Sequence, residues 1–137
     1  MKRLFDLQPA GKTVISVREL GRTRRFVLDG REKWTLGYEI KESRKNKEIA
    51  PNTPDIPLRS DIASRKHGEF LRLDEQFYYI DRDNYNGTYY NGEKIKKGLN
   101  GSAIPVLLKD GDVLRIDAPD LNNPDLRHVI ITVTIHD

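Results

Sequence analysis

The chain has no cysteine in 137 residues. That excludes disulfide frameworks, thiolate metal centres and thiol catalysis, and it agrees with a reducing compartment, so the cytoplasm is the expected location. No run approaches the roughly 18 consecutive apolar residues of a membrane span. After Met1-Lys2-Arg3 the apolar character lapses within a few residues, and the expectation is a soluble, unsecreted protein. Helical periodicity is missing as well, since no window of eleven or more residues keeps a 3.6-residue repeat. One domain is expected at this length, large enough to bury a core without disulfide or metal staples. Residues 1–12 read as an N-terminal tail and 13–137 as the domain.

Charge is abundant and unevenly placed. The net charge is +3, yet residues 1–50 carry 13 Lys/Arg against 7 Asp/Glu while residues 51–137 carry 11 against 14. Basic side chains gather at Arg22-Thr23-Arg24-Arg25 and along Lys41 to Lys47. Both read as solvated basic loops. A nucleic-acid surface is the competing reading, but aromatic side chains do not interleave with these runs as a stacking platform requires, so no nucleic-acid partner is expected.

Alternation of period two dominates the pattern. Strands are expected over 13–19 and 25–29, and then over 33–37, where Trp34 and Leu36 share a face; Asp29-Gly30 reads as the turn of an early hairpin between the last two. Residues 39–55 are charged and interrupted by Pro51 and Pro54, and form the longest connection before a short strand at 56–58. Further strands are expected over 69–73 and 77–81, over 88–90 and 93–95 about Asn91-Gly92, and over 106–108 and 112–116. In the last strand Val129, Ile131, Val133 and Ile135 occupy one face. Ten or eleven short strands at this spacing predict an all-β fold, a twisted antiparallel β-sandwich.

Three short runs stand out: Ser64-Arg65-Lys66-His67-Gly68, Asn86-Gly87-Thr88-Tyr89-Tyr90-Asn91-Gly92 and Leu108-Lys109-Asp110-Gly111-Asp112. Each reads as a loop or turn at a strand end. The hydroxyl, guanidinium and carboxamide groups they present suit an anion held beside a peptide backbone. In that order the runs resemble the forkhead-associated (FHA) domain, a phosphothreonine-binding β-sandwich of the FHA/SMAD-like type, and the resemblance spans about Val14 to Ile135. Recognition of phosphorylated motifs by basic side chains is this family's mode.

The resemblance implies roles. Ser64 and Arg65 correspond to the phosphate-binding pair, and a hydroxyl with a guanidinium is a sensible donor set for a group of about −1.5 to −2 charge. Asn86 corresponds to the asparagine that bonds the bound peptide's main chain, which suits a carboxamide's capacity to donate and accept. His67 braces the loop, while Gly37, Gly68, Gly87 and Asn91 are structural parts of the motif. The sequence departs from the family after Gly37, where Tyr38 replaces an arginine that grips phosphate. Loss of one charge-assisted hydrogen bond, about 1.5–3 kcal/mol, weakens binding roughly 10- to 150-fold unless Lys41, Arg44 or Lys45 supplies the charge. Tyr85 departs too, standing where a smaller hydroxyl or a basic residue is common. Tyr38, Arg44 and Tyr85 are therefore assigned to the pocket edge. Their presence motivates the alternative, a degenerate FHA domain that acts as a phosphate-independent protein scaffold.

Other constellations carry no chemistry. Gly11-Lys12-Thr13 mimics the end of a P-loop, but the first glycine of that motif would fall at Asp6 and a strand follows. Ser64 lacks a nucleophile elbow, which removes a hydrolase triad with His67. His128 and His136 are separated by about 27 Å along one strand, too far to share a metal. The aspartates from Asp110 to Asp125 lack EF-hand spacing. No catalytic residue, metal or cofactor is expected; the expected partner is a phosphothreonine-containing protein or peptide, with no membrane involved.

Overall fold

The computed structural model describes residues 12–39, 53–118 and 127–136. Among these residues eleven strands run in the order β1 (Thr13–Glu19), β2 (Arg22–Leu28), β3 (Lys33–Tyr38), β4 (Ile56–Leu58), β5 (Gly68–Leu73), β6 (Gln76–Asp81), β7 (Tyr89–Tyr90), β8 (Glu93–Lys94), β9 (Val106–Leu107), β10 (Val113–Asp117) and β11 (His128–Ile135). They form a six-stranded sheet, β2-β1-β11-β10-β7-β8, and a five-stranded sheet, β4-β3-β5-β6-β9. Every pairing is antiparallel except β3 with β4. No helix among the described residues is long and apolar enough to cross a membrane.

The alternation in the sequence sets the faces. In β1, Thr13, Ile15, Val17 and Glu19 turn inward while Arg18 is exposed, and Val129, Ile131 and Val133 of β11 are buried beside them. From the opposite sheet come Trp34, Leu36, Phe70, Phe77 and Tyr79. Their rings meet with Trp34 and Phe77 5.9 Å apart, Phe70 and Phe77 5.7 Å, and Phe70 and Tyr79 5.3 Å, spacings that add directional preference to area burial.

The early hairpin is placed differently from the sequence expectation. β2 pairs with β1 in one sheet and β3 with β5 in the other, so Asp29-Gly30 carries the chain between sheets. The hairpin turn is Leu20-Gly21, with φ of 51° and 75°. Leucine rarely adopts positive φ, which is why this turn is silent in the sequence. It also places Arg22 to Arg25 in β2 and not in a loop. There, at the sheet edge, they are well suited to discourage pairing with another chain.

At the end opposite the loop that follows β4, Thr13 pairs with Ile135 and the His136 N–H donates to the Lys12 carbonyl (3.0 Å). The Leu108 to Asp112 turn lies at that same far end, where the Asp110 carboxylate accepts the Ile135 N–H (2.9 Å). The expected tail, apart from Lys12, lies outside the described residues, as do Lys41, Arg44, Lys45, Asp120 and Asp125.

Candidate functional site

The loop between β4 and β5 is fixed at its entry, middle and exit. At the entry the buried Glu19 carboxylate accepts the Arg59 N–H (2.9 and 3.0 Å) and the Ser60 N–H (2.9 Å), and pairs with Arg24 at 2.7 Å. In the middle, the Tyr38 N–H donates to the Ser64 carbonyl (2.9 Å). Gly37 is needed there because a Cβ on it would stand 1.7 Å from the Arg65 carbonyl oxygen. At the exit, the His67 N–H donates to the Leu36 carbonyl (3.0 Å).

His67 is fully buried and links this loop to the one after β6. Its Nδ1 accepts the Ser64 N–H (3.1 Å), which leaves the ring hydrogen on Nε2 to meet Thr88 Oγ1 at 2.9 Å. The Thr88 hydroxyl in turn donates to Asp81 Oδ1 (2.6 Å), which also accepts from the Tyr79 hydroxyl (2.8 Å) and Asn84 Nδ2 (2.9 Å). Asn84 Oδ1 then holds the Gly87 N–H (2.7 Å). No buried side-chain polar atom among the described residues is left without a partner. Burial pulls the imidazole down to about 4, although the Asp81 carboxylate acts in the other direction. The ring is therefore neutral at physiological pH, as an acceptor at Nδ1 must be. Gly68 leaves room for the Tyr79 hydroxyl, which a Cβ would approach to 2.1 Å.

Some of the sequence-predicted residues border this network and others do not. Ser64 and Asn86 converge: Ser64 Oγ accepts the Tyr85 N–H (3.0 Å), and Asn86 Nδ2 donates to the Ile62 carbonyl (2.8 Å). The hydroxyl hydrogen of Ser64 thus remains for an outside acceptor. Asn86 holds the two loops together and keeps its Oδ1 without a partner among the described residues. Arg65 is exposed and makes no ion pair among the described residues. Tyr85 is 93% exposed at the loop tip. Tyr38, at the position where the resemblance expects arginine, is half-buried and packs against the core edge.

Gly87 has φ of 79° and lies under the Lys94 side chain. Asn91 stands apart from Ser64 and serves the far turn. Its Oδ1 accepts the Val113 N–H (2.8 Å) and its Nδ2 donates to Asp112 (3.1 Å), whose other oxygen accepts the Tyr90 hydroxyl (2.7 Å) and the Lys109 N–H (2.8 Å). That hydrogen bond from Tyr90 to a carboxylate pushes the phenol up to about 12. The third sequence run is thus part of the frame and lies away from the site.

Sequence reasoning missed Glu19 and Asp81. Both had a signal: Glu19 continues the inward series of Ile15 and Val17, and Asp81 that of Phe77 and Tyr79. A carboxylate at an inward strand position needs partners, and both found backbone or hydroxyl donors that organise the loops.

A profile of the FHA domain matches residues 34–117, more than half of the chain. Among solved structures, the FHA domain of the CT664 protein from Chlamydia trachomatis is 17% identical, with a TM-score of 0.63 and coverage of 92% of this chain and 99% of that one. An engineered FHA domain with a Myc-pTBD peptide is 22% identical, with a TM-score of 0.61 and coverage of 95% and 94%. A structure from work on phosphothreonine-dependent FHA domain interactions is 19% identical, with a TM-score of 0.58 and coverage of 92% and 98%. A comparison with curated protein sequences gives no match. The sandwich topology, the buried histidine brace and the profile match agree: the chain belongs to the FHA domain family.

Proposed function

We propose that this chain is a phosphothreonine-peptide-binding module, with Ser64 and Arg65 on the phosphate and Asn86 Oδ1 on a peptide N–H. FHA domains are phospho-dependent interaction modules as a family. For this chain, one observation supports the finer reading above others. Ser64 is locked by its backbone N–H to His67 and by its Oγ to the Tyr85 N–H, so its hydroxyl hydrogen is left for an acceptor, and the next residue, Arg65, is exposed with no ion pair among the described residues. Such preorganised donors suit a dianionic ester, and each charge-assisted bond is worth about 1.5–3 kcal/mol. The chain acts by binding and not by catalysis, as a signalling adaptor in the cytoplasm.

The test uses an immobilised library of phosphothreonine peptides, followed by calorimetry of the best sequence and its unphosphorylated twin. Binding of the phosphorylated form alone, lost in Ser64→Ala, supports the reading. Equal affinity for both forms favours the second reading, a phosphate-independent scaffold, for which the replacement of arginine by the core-packed Tyr38 is the supporting observation.

A further inference from the structure

The outer face of the five-stranded sheet carries a groove of about 640 Å³ that begins beside Arg65. This is within the usual range of about 300–1,000 Å³ for ligand sites. Its floor is made by Thr35 of β3 and Glu69 of β5, which pair across the sheet on the face away from Trp34 and Phe70. Asp55 and Lys66 form its sides.

The charges in this groove divide unevenly. Glu69 is held by Lys33 at 3.1 Å and by the Arg82 guanidinium. Asp55 is held by Arg31 at 2.9 Å, by the Thr35 N–H at 2.8 Å and by the Thr35 hydroxyl at 3.1 Å. Both carboxylates are therefore neutralised in place. Arg65 and Lys66 are exposed and have no ion-pair partner among the described residues. The floor is electrically balanced, and the side nearest Ser64 carries two cations that have no ion-pair partner among the described residues. Such a surface attracts acidic groups.

We propose that this groove receives acidic side chains flanking the phosphothreonine, with Lys66 as the specificity-determining residue. The proposal rests on the phosphopeptide reading above. A peptide advances about 3.3–3.6 Å per extended residue, so a chain that leaves a phosphate at Ser64 reaches Lys66 within a few residues. The groove then ranks phosphorylated partners by their neighbouring Asp and Glu residues, while Ser64 and Asn86 set the requirement for phosphate.

The probes are two 15-residue phosphothreonine peptides, one with Ala/Ser flanks and one with Glu at four flanking positions, tested in N-terminal and C-terminal versions. Each is titrated into the full chain by calorimetry and by ¹H–¹⁵N NMR. One acidic version should bind about three- to tenfold more tightly than the neutral peptide at low salt, as expected for two exposed charge pairs. Amide shifts should extend to Thr35, Asp55 and Glu69. Lys66→Ala should reduce that preference and leave the neutral peptide's affinity unchanged.

Equal affinity for acidic and neutral peptides, or a preference that survives Lys66→Ala, overturns the groove and leaves the phosphate reading standing. An unphosphorylated Glu-flanked peptide that binds as tightly as its phosphorylated form refutes the phosphate reading instead. If no peptide binds or shifts any amide, both fall. A single-stranded oligonucleotide that shifts the groove amides more strongly than any peptide assigns the groove to nucleic acid and overturns the proposal.

Discussion

Replacing Thr88 by valine removes one hydroxyl from a fully buried position while keeping the shape of the side chain. The hydroxyl donates to the Asp81 carboxylate at 2.6 Å and meets His67 Nε2 at 2.9 Å. Loss of a hydrogen bond to a charged acceptor costs about 1.5–3 kcal/mol, and the stranded Nε2–H adds about 1–3 kcal/mol. Asp81 retains the Tyr79 and Asn84 donors, which limits the damage. The expected destabilisation is about 3 kcal/mol, a large part of the 5–15 kcal/mol typical of a domain. Urea unfolding followed by the fluorescence of Trp34, the sole tryptophan, reads it directly. The midpoint should fall with the slope unchanged. Thr132→Val on the half-buried face of β11 is the control and should change stability by less than about 1 kcal/mol. A loss below about 1 kcal/mol in Thr88→Val would refute the idea that this hydroxyl joins the histidine to the aspartate.

His67 titrates near 4 in the fold against about 6.5 when unfolded, so the unfolded chain binds the proton first. Its contribution is fully present above about pH 6.5 and is lost as pH falls toward 4, by about 3 kcal/mol at most; pH-dependent unfolding should show this slope, and His67→Gln should flatten it. Gly37→Ala must displace the Arg65 carbonyl and should cost at least about 3 kcal/mol, whereas Gly30→Ala, which meets only open space, should cost the left-handed backbone strain of about 1–2 kcal/mol; thermal melts of the pair compare them. Tyr38→Arg should tighten phosphothreonine-peptide binding by about tenfold in calorimetry and lower stability by about 1–2 kcal/mol, because the ring leaves the core edge.

Most strands were legible because inward and outward residues alternate cleanly, as in β1, β6 and β11. The motif order also predicts that the loops of Ser64 and Asn86 lie together, and they are joined by the Tyr85 N–H to Ser64 Oγ and by Asn86 Nδ2 to the Ile62 carbonyl. What stayed hidden was pairing between segments distant in sequence. Asp29-Gly30 marks a reversal, but the same positive φ serves a hairpin or a passage between sheets, and local chemistry does not distinguish them. Leu20 at φ 51° carries no turn signal at all. Glu19 lies 40 residues before the Arg59 N–H that it binds, so its role as an anchor for the Ser64 loop depends on tertiary contacts.

Lys12 and His136 lie side by side at the end of the sandwich remote from Ser64 and Asn86. Both therefore stand at the opposite end from the loops on which the proposed phosphopeptide site rests. Because the Lys12 carbonyl and the His136 N–H are in hydrogen-bond contact, one short linker joins the two strands they border in a circular permutant, and the cut can then be made in a turn away from Ser64 and Asn86.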